Sequence, residues 1–127
     1  MSYYLVVISV KSLRVNMSQR LKKYAPYLCI LHRSPPKVRK ALLKKNCSPE
    51  FLRCLSECAK NVLNGNVRLT PIQKKQLSKQ KKLLRKIVLK KTPLKTKRRI
   101  AQTGGFLGAL LSPIVKILGG LFGIGSA

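Results

Sequence analysis

The sequence predicts an all-α protein: a small bundle of short helices, then a basic extended helix or linker, then an apolar, glycine-rich helical tail. Three observations carry this. Ahead of the tail, Ser or Thr stands directly before Pro four times, at Ser34-Pro35, Ser48-Pro49, Thr70-Pro71 and Thr92-Pro93. A Ser or Thr hydroxyl accepts hydrogen bonds from the open amides of a helix's first turn, and Pro suits the first helical position because its missing N–H has no partner there. Between these marks, apolar residues recur at three- and four-residue intervals. Charge is also sharply divided: Lys and Arg crowd the chain up to Arg99, whereas from Gly104 onward Lys116 is the one charge left.

Residues 1–17 read as an N-terminal extension. Their apolar run, 3–10, is too short to span a bilayer and lacks the flanks of a secretory signal. It fits either a short arm or a stretch upstream of a start at Met17, and the second is preferred because regular organisation begins at Ser18. Residues 18–91 read as a small basic helical domain. Leu21, Tyr24, Leu28 and Leu31 share a helical face, which Pro26 is expected to kink or split. Val38, Ala41 and Leu42 form a short stripe on the next helix. Phe51, Cys54, Leu55, Cys58, Ala59, Val62 and Leu63 make the best stripe in the chain, and Asn64-Gly65-Asn66 supplies its stop. After Thr70, where Gln73 completes a capping box, the pattern loosens to Ile72, Leu77, Leu84 and Val88. The expected core is thin and centred on residues 51–63.

The chain holds 28 Lys and Arg against 2 Asp and Glu, a formal net charge of +26. Such a chain repels itself, so a polyanionic partner is implied, with nucleic acid first and anionic membrane second. Enzymatic chemistry has little to work with. Glu50 and Glu57 are the only carboxylate side chains, His32 is the only histidine and Asp is absent, so neither a carboxylate pair nor a Ser-His-Asp triad is at hand. Cys29, Cys47, Cys54 and Cys58 lack zinc-site spacing. They read as core residues, and His32 as a surface residue. No metal or other cofactor is expected. Four cysteines and no export signal point to a reducing, intracellular setting.

Residues 68–99 carry 14 Lys or Arg and no carboxylate. The expected phosphate contacts are Arg68, Lys74, Lys75, Lys79, Lys81, Lys82, Arg85, Lys86, Lys90, Lys91, Lys95, Lys97, Arg98 and Arg99. The charges are expected to surround the helix axis. The stretch has no aromatic platform for stacking bases and no sequence-reading motif, which leaves counterion release as the binding mechanism for double-stranded DNA. The run at residues 95–99 also fits a nuclear localisation patch. Residues 92–103 read as a basic linker.

Residues 104–127 form the tail. Phe106, Leu107, Leu110, Leu111, Ile114, Val115, Ile117, Leu118, Leu121 and Phe122 supply its apolar face, expected to act on membrane. Gly108, Ser112, Lys116 and Gly120 make a narrow strip at four-residue intervals. That shape fits shallow interfacial insertion better than a stable span. A hairpin broken at Ser112-Pro113, or packing of the tail against the bundle, are the alternatives.

At the boundary, Gln102-Thr103-Gly104-Gly105 before Phe106 resembles the cleavage sites of adenovirus-type maturation proteases; a similar pattern recurs at residues 117–120. Its surroundings resemble the precursor of the adenovirus core peptide mu. The blocks LRCLSECAKNVLNGNVRLTPIQKKQL (52–77) and QTGGFLGALLSPIVKILGGLFG (102–123) resemble the small basic proteins of adintoviruses and Maverick/Polinton elements, and the tail is similar to frog-skin membrane-active peptides beginning Phe-Leu-Gly. The resemblance implies a viral minor core protein in the virion core and host nucleus. It would condense double-stranded DNA and release its tail by cleavage after Gly105, to act on membrane or capsid proteins. A cationic membrane-active protein, antimicrobial or toxin-like, is the alternative; a host chromatin or ribosome-associated protein is a third reading.

Overall fold

The computed structural model describes residues 18–103 and 105–122, with side chains as far as residue 118. The N-terminal extension, Gly104 of the cleavage motif and the side chains of Leu121 and Phe122 lie outside the described residues. Seven helices and no strand occur among the described residues: α1 (Gln19–Arg33), α2 (Pro36–Lys45), α3 (Pro49–Leu63), α4 (Pro71–Lys79), α5 (Lys81–Val88), α6 (Leu94–Ala101) and α7 (Phe106–Phe122). The all-α class read from the sequence is the observed one.

Helix starts follow the capping chemistry, with one systematic shift. Ser18, Ser48 and Thr70 each accept from a backbone N–H three residues on, at 3.1 Å. Thr70 also receives the return bond of a capping box, its own N–H donating to Gln73 Oε1 at 2.9 Å. At α2 and α6 the proline itself occupies the cap position, Pro35 and Pro93, with no side-chain cap bond. Ser34 instead closes α1, its hydroxyl donating to the Ile30 carbonyl at 2.7 Å. Pro26 does not split the helix: α1 runs through it, with Pro26 on the exposed side.

The stop after α3 is a Schellman motif. Asn66 N–H donates to the Asn61 carbonyl and Gly65 N–H to the Val62 carbonyl, at 2.9 and 3.1 Å, while Gly65 takes φ 73°. A side chain there would meet open space, with nothing within 4 Å of a Cβ, so the cost of substitution is purely backbone. Gly65→Ala is expected to lower stability by about 1 kcal/mol, and Gly65→Asn by less, because Asn tolerates this conformation. Urea unfolding of the two variants checks both.

Helix α3 is the hub, packed against α1, α5, α6 and α7, and α7 lies across α1, α3, α4 and α6. The α3 stripe is buried as its spacing implied, with Phe51, Cys54, Leu55, Cys58 and Ala59 at 1% exposure or less. Tyr24 and Tyr27 meet Phe51 edge-on, at centroid distances of 5.4 and 5.0 Å. On α2 the stripe was displaced: Val38 and Ala41 are exposed, Leu42 is half-buried, and Leu43 is the residue inside. All four cysteines are buried and unpaired. Burial raises the Cys29 and Cys47 thiols; the hydrogen bond with Cys54, then burial, holds Cys58 well above its ordinary value. These are packing residues, not reactive thiolates.

The tail departs most from expectation. It is not an appendage but a major part of the core. Phe106, Leu107, Leu110, Leu111, Ile114, Val115 and Leu118 are all at 4% exposure or less, and Ile117 is partly buried against them. The helix continues through Pro113, so the hairpin is not formed. The small-and-polar strip points away from the core: Lys116 is exposed and Ser112 half-buried, with Ser112 Oγ accepting from Gln73 Nε2 of α4 at 3.1 Å. Gly108 is a close approach, since a Cβ there would lie 3.1 Å from Nη1 of Arg39. An isolated apolar helix has no place to go but membrane. The α1, α3, α4 and α6 surfaces supply another place, and with it the core is no longer thin.

Candidate nucleic-acid interface

Both carboxylate side chains are committed on one side of the molecule. Glu57 on α3 pairs with Arg20 and accepts from the Ser18 hydroxyl at 2.6 Å. Glu50, at the start of α3, accepts from Lys23 Nζ at 2.9 Å and from the Tyr24 hydroxyl at 3.0 Å. All four partners lie on or just before α1. No cation of α4, α5 or α6 has a carboxylate partner among the described residues.

The Lys23 and Tyr24 hydrogen bonds hold the Glu50 carboxyl below its ordinary value. A carboxyl depressed in the folded state adds stability above its unfolded value, and that stability is lost as pH falls through the folded one. The melting temperature of the wild type is therefore expected to fall on acidification below the ordinary carboxylate range. Glu50→Gln should start lower at neutral pH and fall less. Thermal denaturation across that range reads both signs.

Helices α4, α5 and α6 lay a charged sheath over the core. Leu77 of α4, Leu84 and Ile87 of α5, and Ile100 and Ala101 of α6 point inward and are buried. The cations face out. Of the fourteen expected phosphate contacts, all are exposed except Lys97 and Arg98, which are half-buried. Arg98 has a structural task as well, its Nε donating to the Cys47 carbonyl at 3.1 Å. Two parts of the sequence reading change here. Residues 92–103 are not a linker, because α6 is helical and packed on α3. On α5, moreover, the charges do not surround the axis: Lys81, Lys82, Arg85 and Lys86 are all exposed while Leu84 and Ile87 are inside.

The stretch after Thr70 where the apolar pattern loosens is two helices, joined at Gln80, which has no Pro or Gly to announce the break. The break lets α4 pack on α7 while α5 packs on α3. Of the apolar residues named there from sequence, Leu77 and Leu84 are buried, Val88 is partly buried and Ile72 is 71% exposed; Ile87, missed, is wholly buried. A tertiary division of partners carries no local signal.

Comparison with protein-family models, with curated proteins and with solved structures returned no match. No cluster of three or more His, Cys, Asp or Glu suited to a metal ion occurs among the described residues. His32 is half-buried, and burial, then Arg39 and Arg33, lower its pKa. Arg39 of α2 reaches back to the end of α1: its Nε donates to the Leu31 carbonyl at 2.9 Å and its Nη2 to Ser34's at 3.2 Å. A cation on these last carbonyls complements the negative end of the helix dipole.

The cleavage motif lies between α6 and α7, whose axes meet at 79°. Gln102 caps α6 and its side-chain amide donates to the Leu43 carbonyl at 3.4 Å. Thr103 is exposed, its hydroxyl donating to the Arg99 carbonyl at 3.0 Å. Gly105 is exposed with φ 88°, and Phe106 is fully buried. Among the described residues no single helix is long and apolar enough to cross a membrane. The expected membrane-active residues with described side chains are thus buried, and the bond after Gly105 is followed at once by a core residue.

Proposed function

We propose that the protein binds and compacts double-stranded DNA without reading its sequence, through the outward cations of α4, α5 and α6. The observation that carries this reading is the charge segregation: both carboxylate side chains are paired next to α1, while the cations of α4, α5 and α6, nearly all of them exposed, have no carboxylate partner among the described residues. Like charges held this close repel within a Debye length of about 8–10 Å, and a polyphosphate relieves that repulsion while releasing its own counterions. The resemblance to adintovirus and Maverick/Polinton basic proteins supports placing this activity in a viral core, with virion and host nucleus as its sites.

The membrane reading takes second place, because the residues it depends on are inside the protein. In this proposal the tail touches membrane or capsid only after leaving the bundle, and an adenovirus-type protease acting at Gly105 is one way to loosen it. The uncut folded chain should therefore leave anionic vesicles intact, which separates this reading from a toxin-like one.

The test is a salt titration of binding to two unrelated duplexes. Log affinity should fall steeply and linearly with log salt, by about 0.9 per phosphate neutralised, and the two duplexes should give the same line. A flat response, or a marked preference for one duplex, overturns the proposal.

A further inference from the structure

A second feature adjoins the cationic sheath and shares Arg98 with it. An open groove of about 810 Å³ runs between α1, the end of α2, the start of α3 and Arg98 of α6. Its floor is apolar and aromatic: Tyr24 and Tyr27, set edge-on against buried Phe51, with Ile30 beside them. Ile30 is 53% exposed, a large apolar side chain left open to solvent in the groove's lining. The rim is cationic. Lys44, Lys45 and Arg98 line it, and none of them has a carboxylate partner among the described residues.

The polar groups of the floor are already engaged. The Tyr27 hydroxyl donates towards the Leu42 and Asn46 carbonyls at 3.3 and 3.2 Å, the Tyr24 hydroxyl to Glu50, and Arg98 Nε to the Cys47 carbonyl. What remains on offer is apolar surface below and positive charge above. A volume of several hundred Å³ suits one or two bulky side chains and the short backbone that carries them. The open shape suits a chain running through rather than an enclosed small molecule.

We propose that this groove binds a peptide segment of a partner protein that combines carboxylates with a Leu- or Phe-like anchor. Charge complementarity selects the occupant: carboxylates meet Lys44, Lys45 and Arg98 while the anchor covers Ile30 between Tyr24 and Tyr27. A DNA duplex fits poorly, because its phosphates would face Ile30 and Pro26 with no gain from covering them. Stacked single-stranded bases fit less well too, since both Tyr rings are fixed edge-on against Phe51 with their hydroxyls engaged. Residues 1–17 of the same chain carry Lys11 and Arg14 and no carboxylate, the wrong sign for this rim.

The experiment measures fluorescence anisotropy of a labelled peptide alternating Asp or Glu with Leu or Phe, on the full-length protein, without DNA and with duplex DNA in saturating amount. Poly-Glu and oligo-dT of matched length are the comparison probes. The apolar-acidic peptide should bind in both conditions, with poly-Glu at least about tenfold weaker, since the anchor residue carries much of the energy at such a site. Ile30→Ser, on an exposed position that leaves the core untouched, should weaken the peptide about tenfold and leave duplex affinity within about twofold. Lys44→Gln with Lys45→Gln should weaken the peptide as well. Equal binding of poly-Glu or oligo-dT, displacement of the peptide by duplex, or no effect of Ile30→Ser would overturn the proposal. Peptide binding that persists where duplex binding fails would remove the DNA reading and leave this one standing.

Discussion

Deleting residues 106–127 should abolish cooperative unfolding of the remaining chain. The deletion removes Phe106, Leu107, Leu110, Leu111, Ile114, Val115 and Leu118 from the core and uncovers the α1, α3, α4 and α6 surfaces against which α7 packs. Each fully buried large apolar side chain contributes roughly 1.5–3 kcal/mol relative to exposure. Seven of them together rival or exceed the whole net stability of a small domain, about 5–15 kcal/mol. Circular dichroism during heating should show a broad slope in place of a transition, with dye binding to exposed apolar surface. Milder variants separate packing from length. Leu110→Ala should cost about 2–5 kcal/mol, whereas Lys116→Ala, on the exposed strip, should stay within about 0.5 kcal/mol. A truncated chain that melts sharply would show that the body folds alone and that the tail is an appendage after all.

The same burial governs proteolysis after Gly105. A protease binds several residues on either side of the bond in extended form, but Phe106 is inside the core and Gln102 is tied to the end of α6 and to Leu43. Cutting therefore needs local opening, and its rate follows the population of the opened form. Cleavage alone does not set the tail free, because the contacts that hold α7 are not the peptide bond. The released segment stays docked until something loosens the bundle. A chemical cut and a physical release are separate events, and a membrane role for the tail depends on the second.

How far the sequence could be read depended on whether a signal was local. Capping residues and their return bonds act within one turn, so Ser48, Thr70 with Gln73, and the Gly65 stop were legible. The α3 stripe was legible because seven apolar residues on one face leave no ambiguity of phase. On α2 the run Ala41-Leu42-Leu43 offers two phases, and the sequence does not say that the neighbouring helices cover Leu43. The break at Gln80, the conversion of residues 92–103 into α6, and above all the docking of α7 depend on surfaces far away in the chain. An apolar helix with one charge looks the same whether lipid or protein covers it. For the candidate interface, the count of cations and the scarcity of carboxylates were visible at once. That Glu50 and Glu57 would both be taken up next to α1, leaving every cation of α4, α5 and α6 without a carboxylate partner among the described residues, was not.

Removing four cations from α5 should separate binding from stability in opposite directions. Lys81, Lys82, Arg85 and Lys86 are exposed on one short helix whose inner face is Leu84 and Ile87. Changing all four to Gln keeps helix propensity close to unchanged and leaves the core intact. Duplex affinity at physiological salt should fall by at least about tenfold, and the slope of log affinity against log salt should become shallower by up to about 0.9 per contact removed. The matching control takes the same charge from the exposed residues Lys22, Lys37, Lys40 and Lys60 on α1, α2 and α3. It should change the slope by less than half as much. Equal effects would mean that DNA meets a diffuse positive cloud and that α4, α5 and α6 form no interface. Thermal stability should move the other way, the α5 variant melting at the same temperature or higher at low salt, because it relieves repulsion that nothing in the folded chain offsets. Adding duplex should then raise the wild type's melting temperature far more than the variant's, since a ligand stabilises in proportion to how well it binds the folded form. A binding surface that costs its own protein stability, and recovers it from the ligand, is what two carboxylates against twenty-eight cations lead one to expect.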